Sequence, residues 1–188
     1  PCPDTTGSGL ENCTAGVQKG WLPVTTIGLG GAASMRGVTR VRYVVYRSSI
    51  DLAVSADLYN PVKWDGTFYT YNQRSILDFC NGLVSAAAAA STNAAAFVKG
   101  SGTAVTNVAY AIADGGIDRD GDGSTFDGVD ADMAQPGFES PARSADANYD
   151  DRVMARGFTA LGEAINCRQA TRSVDAIAAA VDVYNEVQ

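Results

Sequence analysis

DGGIDRDGDGSTFDGVDAD, residues 114–132, is the stretch on which the reading of the chain turns. Asp118, Asp120 and Asp122 alternate and are followed by Gly123, matching the D-x-D-x-D-G opening of a loop in which alternate carboxylates converge on one hard cation. Seven acids share the span with one base, Arg119. Left unneutralised they repel one another, so a bound divalent ion would remove the repulsion and fix the backbone. Calcium is the expected ion. With Asp118 as position 1, Ser124 supplies the backbone ligand of position 7, but position 12, where a bidentate Glu is usual, is Val129. Asp127, Asp130 or Asp132 must then close the shell, and the affinity expected without the strong twelfth ligand is roughly 10⁻⁴ to 10⁻³ M.

Working outward, Val108 to Ala113 leads into the loop as an apolar run that reads as a buried strand, so a helix-loop-helix arrangement is not expected. A short strand at 152–156 follows the loop, which places the acidic insertion between two expected sheet neighbours. Upstream, VTRVRYVVYR (38–47) gives the strongest strand. Val41, Tyr43 and Val45 alternate with Arg40 and Arg42, an apolar face against a core and a basic face toward solvent or a partner. KWDGTFYTY (63–71) carries Asp65-Gly66 between β-prone residues and reads as a hairpin. Val24 to Ile27 is a β-prone run ended by glycines, and residues 94–99 form a further apolar strand. Helices are expected at 75–90, with Ile76, Cys80, Leu83, Val84 and Ala87 on the buried stripe, around Phe158, Leu161 and Ile165, and at 171–186, with Val174, Ile177, Ala178 and Val181 buried. Pro1 to Pro23 is rich in turn-forming residues and reads as a loop docked by Trp21 and Leu22. The whole is a single α+β domain over 1–188, an antiparallel sheet packed on helices.

Composition narrows the function. With 188 residues, 46% hydrophobic and 19% charged, the chain is long enough to bury a real core. A net charge of −7 argues against nucleic acid as a partner. There is no histidine, so Ser-His-Asp, Cys-His and His-ligated zinc sites are closed to it. A hydrolase built on Asp150 and Asp151 is disfavoured, because neighbours on a strand point to opposite faces. Cys2, Cys13, Cys80 and Cys167 lack metal or redox spacing and read as two disulfides. Of the three pairings, Cys2–Cys13 with Cys80–Cys167 is favoured. The first closes a local Gly-rich loop, and the second joins two helical patterns able to pack together. An oxidising compartment, periplasm or cell surface, follows.

CPDTTGSGLENC (2–13), GWLP (20–23), VRYVVY (41–46), LDFCNGL (77–83), VAYAIADGG (108–116) and YDDRVM (149–154) together resemble the head domain of type IV pilin-like proteins and type II secretion pseudopilins. The resemblance implies a structural subunit of a periplasmic or cell-surface filament. Its partners would be other pilin or pseudopilin subunits, and its one tie to the inner membrane an apolar N-terminal helix ahead of Pro1. Some heads of that family bind structural calcium, though not at positions that transfer to this chain. Where related heads carry Asp-x-Trp-Gly, this chain has Ser34-Met35-Arg36-Gly37. A tip adhesin using Trp64, Phe68, Tyr69 and Tyr71 is the alternative reading.

Overall fold

The structure, a computed structural model, describes residues 1–29, 41–48, 50–53, 63–64, 69–70, 76–100 and 102–186. Its centre is a four-stranded antiparallel sheet in the order β1 (Lys19–Trp21), β2 (Val41–Val45), β7 (Tyr110–Asp114), β9 (Arg152–Arg156). A two-residue pair, β3 (Lys63–Trp64) with β4 (Tyr69–Thr70), supports the hairpin expected there, while Asp65-Gly66 itself lies outside the described residues. A smaller sheet has the order β6 (Val105–Asn107), β5 (Phe97–Lys99), β8 (Gly137–Phe138), its β5–β8 pairing parallel. The helices are α1 (Ile76–Ala88), the one-turn α2 (Gly128–Ala131), α3 (Phe158–Ala164) and α4 (Cys167–Glu186).

β2 differs from its expected alternation. Tyr43, Val44, Val45 and Tyr46 are all buried, because both faces of the sheet are covered at this point. Val44 faces a core with Ala111, Ala113, Leu83 and Phe138, and the Tyr46 ring meets Phe158 of α3 edge-on, with centroids 5.0 Å apart. Arg42 does not face solvent either; it turns into the acidic connection described below. Arg40 lies outside the described residues. Two short runs are also reassigned. Val24 to Ile27 is a turn closed by Gly28, and β1 emerges inside a stretch expected to be loop, because its backbone pairs with β2 on one side and bridges to Asp4 on the other.

The disulfides are Cys2–Cys13 and Cys80–Cys167, as expected. The second sets the rotation of α1. With Cys80 turned toward α4, Leu83 and Ala86 face the core, and Ile76 and Val84, expected on the buried stripe, are exposed. α4 departs furthest from expectation. Its period is helical and its start is joined to α1, but Val174 and Ile177, expected to be buried, are 44% and 65% exposed, while the side chains of Ala178 and Val181 lie outside the described residues.

The N-terminal loop is organised by one buried carboxylate. Asp4 Oδ1 accepts from Thr6 N, Thr6 Oγ1 and Gly7 N, and its Oδ2 accepts from Gly9 N at 2.5 Å. Burial raises its pKa, but the donors from Thr6, Gly9 and Gly7 together outweigh burial and hold it below the usual value. A carboxyl depressed in the fold stabilises above its unfolded pKa, about 3.9, and loses that contribution as pH falls through the folded value. Asp4→Ala is expected to cost about 2 to 3 kcal/mol at pH 7 by leaving buried N–H groups without an acceptor. Urea unfolding of the wild type from pH 5 down to 2 should show an acid-side loss that Asp4→Ala lacks; equal acid-side losses would remove Asp4 from this role.

Candidate metal centre

The connection between the paired strands β7 and β9, residues 115–151, carries ten of the chain's 21 acidic residues and contains two groups of carboxylates. Asp118, Asp120 and Asp122 form the first, each offering an oxygen within 4.8 Å of the others on an exposed loop. The local fold follows from short-range hydrogen bonds. Asp118 accepts from Gly121 N at 2.7 Å and Gly123 N at 2.9 Å, Asp120 from Asp122 N at 3.1 Å, and Asp122 from Ser124 N at 2.7 Å. Gly123 has φ +89°, which a side chain rarely adopts, and this lets the loop reverse at the sixth position of the motif. Three anionic oxygens with no nitrogen or sulfur donor suit a hard cation such as calcium. The structure therefore brings together three of the expected ligands. Ser124 follows directly, its Oγ donating to Phe126 O at 2.8 Å.

Asp127 and Asp130 go elsewhere. Asp127 joins Asp150 and Asp151 in the second group, also within 4.8 Å. The two groups still feel each other: burial, and then the charges of Asp120, Asp150 and Asp122, raise the Asp127 pKa. The expectation that Asp150 and Asp151 diverge is corrected here. Both precede β9, where the chain is not yet extended in the sheet, so strand alternation does not separate them. Asp150 Oδ2 accepts from Ile117 N at 3.1 Å and from Arg119 Nε at 2.9 Å, tying the loop entrance to the strand that follows it. Gly116 is required beside it, since a Cβ there would collide with the Asp150 carboxylate.

Asp130 is fully buried and points inward. Its Oδ1 accepts from Glu139 N at 2.7 Å and its Oδ2 from Tyr149 Oη at 3.0 Å. Burial raises its pKa, partly opposed by those donors and by Lys19. Asp151 is pushed up to about 7, first by burial and then, against the Asp127 N–H that it accepts, by the neighbouring carboxyls of Asp130 and Asp127. Two cations from the sheet answer this buried acidity. Lys19 of β1 donates to the carbonyl oxygens of Val129, Asp132 and Gly137, each at 2.8 Å. Burial pushes its pKa down to about 8, still above neutrality, so the ammonium is charged at pH 7. Arg42 of β2 donates to the Asp130 carbonyl oxygen and lies 4.2 Å from the Phe126 ring centroid. Neither role was visible in the sequence, where Lys19 lay in an apparent loop and Arg42 on an apparent solvent face. For Arg42 the available signal was its place on a strand of the sheet that the acidic segment must abut; for Lys19, in an expected loop, there was none.

The aromatic candidates for ligand contact, Trp64, Phe68, Tyr69 and Tyr71, have side chains outside the described residues, as does the whole of Ser34 to Gly37. Among the described residues no helix is long and apolar enough to cross a membrane. No protein-family model, no curated protein and no solved structure matches the chain.

Proposed function

We propose that this chain is the head of a pilin-like structural subunit, a minor pilin or pseudopilin, in a type IV pilus or type II secretion filament at the periplasm or cell surface. Calcium on Asp118, Asp120 and Asp122 would stiffen its acidic connection. The observation that carries the reading is the convergence of those three carboxylates on a loop joining two paired strands of a disulfide-linked α+β scaffold. Within that loop, residues 118–123 are exposed and bring no apolar packing of their own, so charge neutralisation is what would make them rigid. The exposed Val174 and Ile177 of α4 support assembly with other subunits, because exposed apolar side chains on a helix of an isolated head offer a surface for a neighbour.

The filament reading is tested by the full-length polypeptide. It calls for a Gly-Phe-x-x-x-Glu processing site and about 20 apolar residues ahead of Pro1; an unrelated folded domain there would contradict it. The calcium reading is tested by thermal unfolding. With a dissociation constant of roughly 10⁻⁴ to 10⁻³ M, about 5 mM Ca²⁺ should add about 1 to 2 kcal/mol, or roughly 3 to 8 °C in Tm, relative to chelator. Asp120→Ala with Asp122→Ala should remove about half of that gain or more. An undiminished gain would exclude the loop as a site.

A further inference from the structure

Asp127, Asp150 and Asp151 differ from the loop carboxylates in being buried: Asp127 and Asp151 are 7% and 5% exposed, and the Asp150 side chain is 9% exposed. One oxygen of each is held in place. Asp151 Oδ2 accepts from Asp127 N at 2.9 Å, Asp127 Oδ2 from Asp150 N at 3.2 Å, and Asp150 Oδ2 from Ile117 N and Arg119 Nε. The other oxygens of Asp150 and Asp151, both Oδ1, are buried with no donor. Two such atoms in one cluster call for a partner, since buried carboxylate oxygens in native proteins are paired.

Protein groups do not supply both partners. Asp130 faces Asp151, and a proton shared by that pair would satisfy Asp151 alone. Arg42, whose Nε is itself buried without an acceptor, is drawn by charge to Asp151 and Asp130. Arg119 is already engaged with Asp150 Oδ2, leaving Oδ1 as it is. One oxygen from each of Asp127, Asp150 and Asp151 lies within 4.8 Å of the others, close enough for all three residues to share a single ion with bonds of roughly 2.3 to 2.6 Å. A cation held there would give the orphan oxygens the positive partner that the protein does not supply to both. Asp150 and Asp151 also line a cleft of about 430 Å³, bordered by Arg119 and Arg143, which gives the ion a route in and room for water ligands.

We propose that Asp127, Asp150 and Asp151 form a second divalent-cation site, of the calcium class, separate from the D-x-D-x-D-G loop. Because Asp150 also holds Ile117 and Arg119, an ion there fixes the end of the connection to its beginning.

The test uses the full chain, stripped with chelator. Calorimetric titration with CaCl₂ should give two sites in the wild type and one in the Asp118→Asn, Asp120→Asn, Asp122→Asn variant, with that last site lost when Asp150→Asn is added. Crystals of the wild type grown with Tb³⁺ locate ions by anomalous scattering whether or not the variants fold, and should show a peak among the three buried carboxylates. A single wild-type site that survives the loop substitutions and vanishes with Asp150→Asn would support this site while contradicting the loop site. Loss of all binding with the loop substitutions, or no Tb³⁺ peak beside Asp150 and Asp151, would overturn the inference.

Discussion

Replacing Cys80 and Cys167 together by alanine is expected to lower stability by about 4 to 5 kcal/mol, the largest effect of any change considered for this chain. The bridge spans a sequence separation of 87, and on the loop-entropy account closing so long a loop removes that much freedom from the unfolded chain. For a chain of this size the loss corresponds to roughly 10 to 20 °C in Tm. The effect should also be local in the folded state. α4 is joined to α1 at Cys167, while Val174 and Ile177 further along are exposed, so little apolar contact remains to hold the helix once the bridge is gone. Amide exchange along 167–186 should accelerate more than exchange in β2 or β7. Denaturant unfolding that shifts by less than about 1 kcal/mol would refute the view that this bridge ties α4 to the rest of the fold.

Lys19→Met follows, with an expected cost of about 3 to 5 kcal/mol. The ammonium donates to three carbonyl oxygens, those of Val129 and Gly137 in buried bonds, and a thioether cannot replace any of them. The substitution also withdraws positive charge from beside Asp130, whose carboxylate is fully buried. Methionine keeps the length and apolar stem of lysine, so lost packing is a minor part of the change. Equilibrium urea unfolding at pH 7 measures it. A loss below about 1 kcal/mol would show that the acidic connection is not docked on the sheet through this residue.

Much of the scaffold could be read from the residues alone. The apolar runs around Tyr43 and Ala111 are long enough to declare β2 and β7, and the disulfide pairing followed from one short Gly-rich loop and two helical patterns. The acidic connection was placed correctly between paired strands for the same reason. What escaped was set by tertiary contact. β1 contains Gly20 and is only three residues long, so its strand character comes from pairing with β2 and bridging to Asp4, not from propensity. α1 had the right period but the wrong rotation, which the bond from Cys80 to Cys167 decides. The amphipathic pattern of α4 marks a face that could be buried without saying by what.

The acidic residues divide along the same line. The spacing of Asp118, Asp120 and Asp122 is a local signal, and their carboxylates do converge. Asp127 and Asp130 follow closely in sequence, yet the turn of α2 directs Asp130 inward to Tyr149 and leaves Asp127 with Asp150 and Asp151. No spacing rule connects residues 127 and 150. Their meeting depends on β7 and β9 lying side by side and returning the chain to the point where the connection began.

The central claim is that residues 118–124 of this connection become rigid when their carboxylates hold a divalent ion. Hydrogen–deuterium exchange of the amides of residues 115–127, measured with about 5 mM Ca²⁺ and with chelator at the same pH, tests it most directly. The account predicts slow exchange at Gly121, Gly123 and Ser124 with calcium and at least about tenfold faster exchange without it, while β2 and β7 stay protected in both. Identical exchange across 115–127 in the two conditions would contradict it.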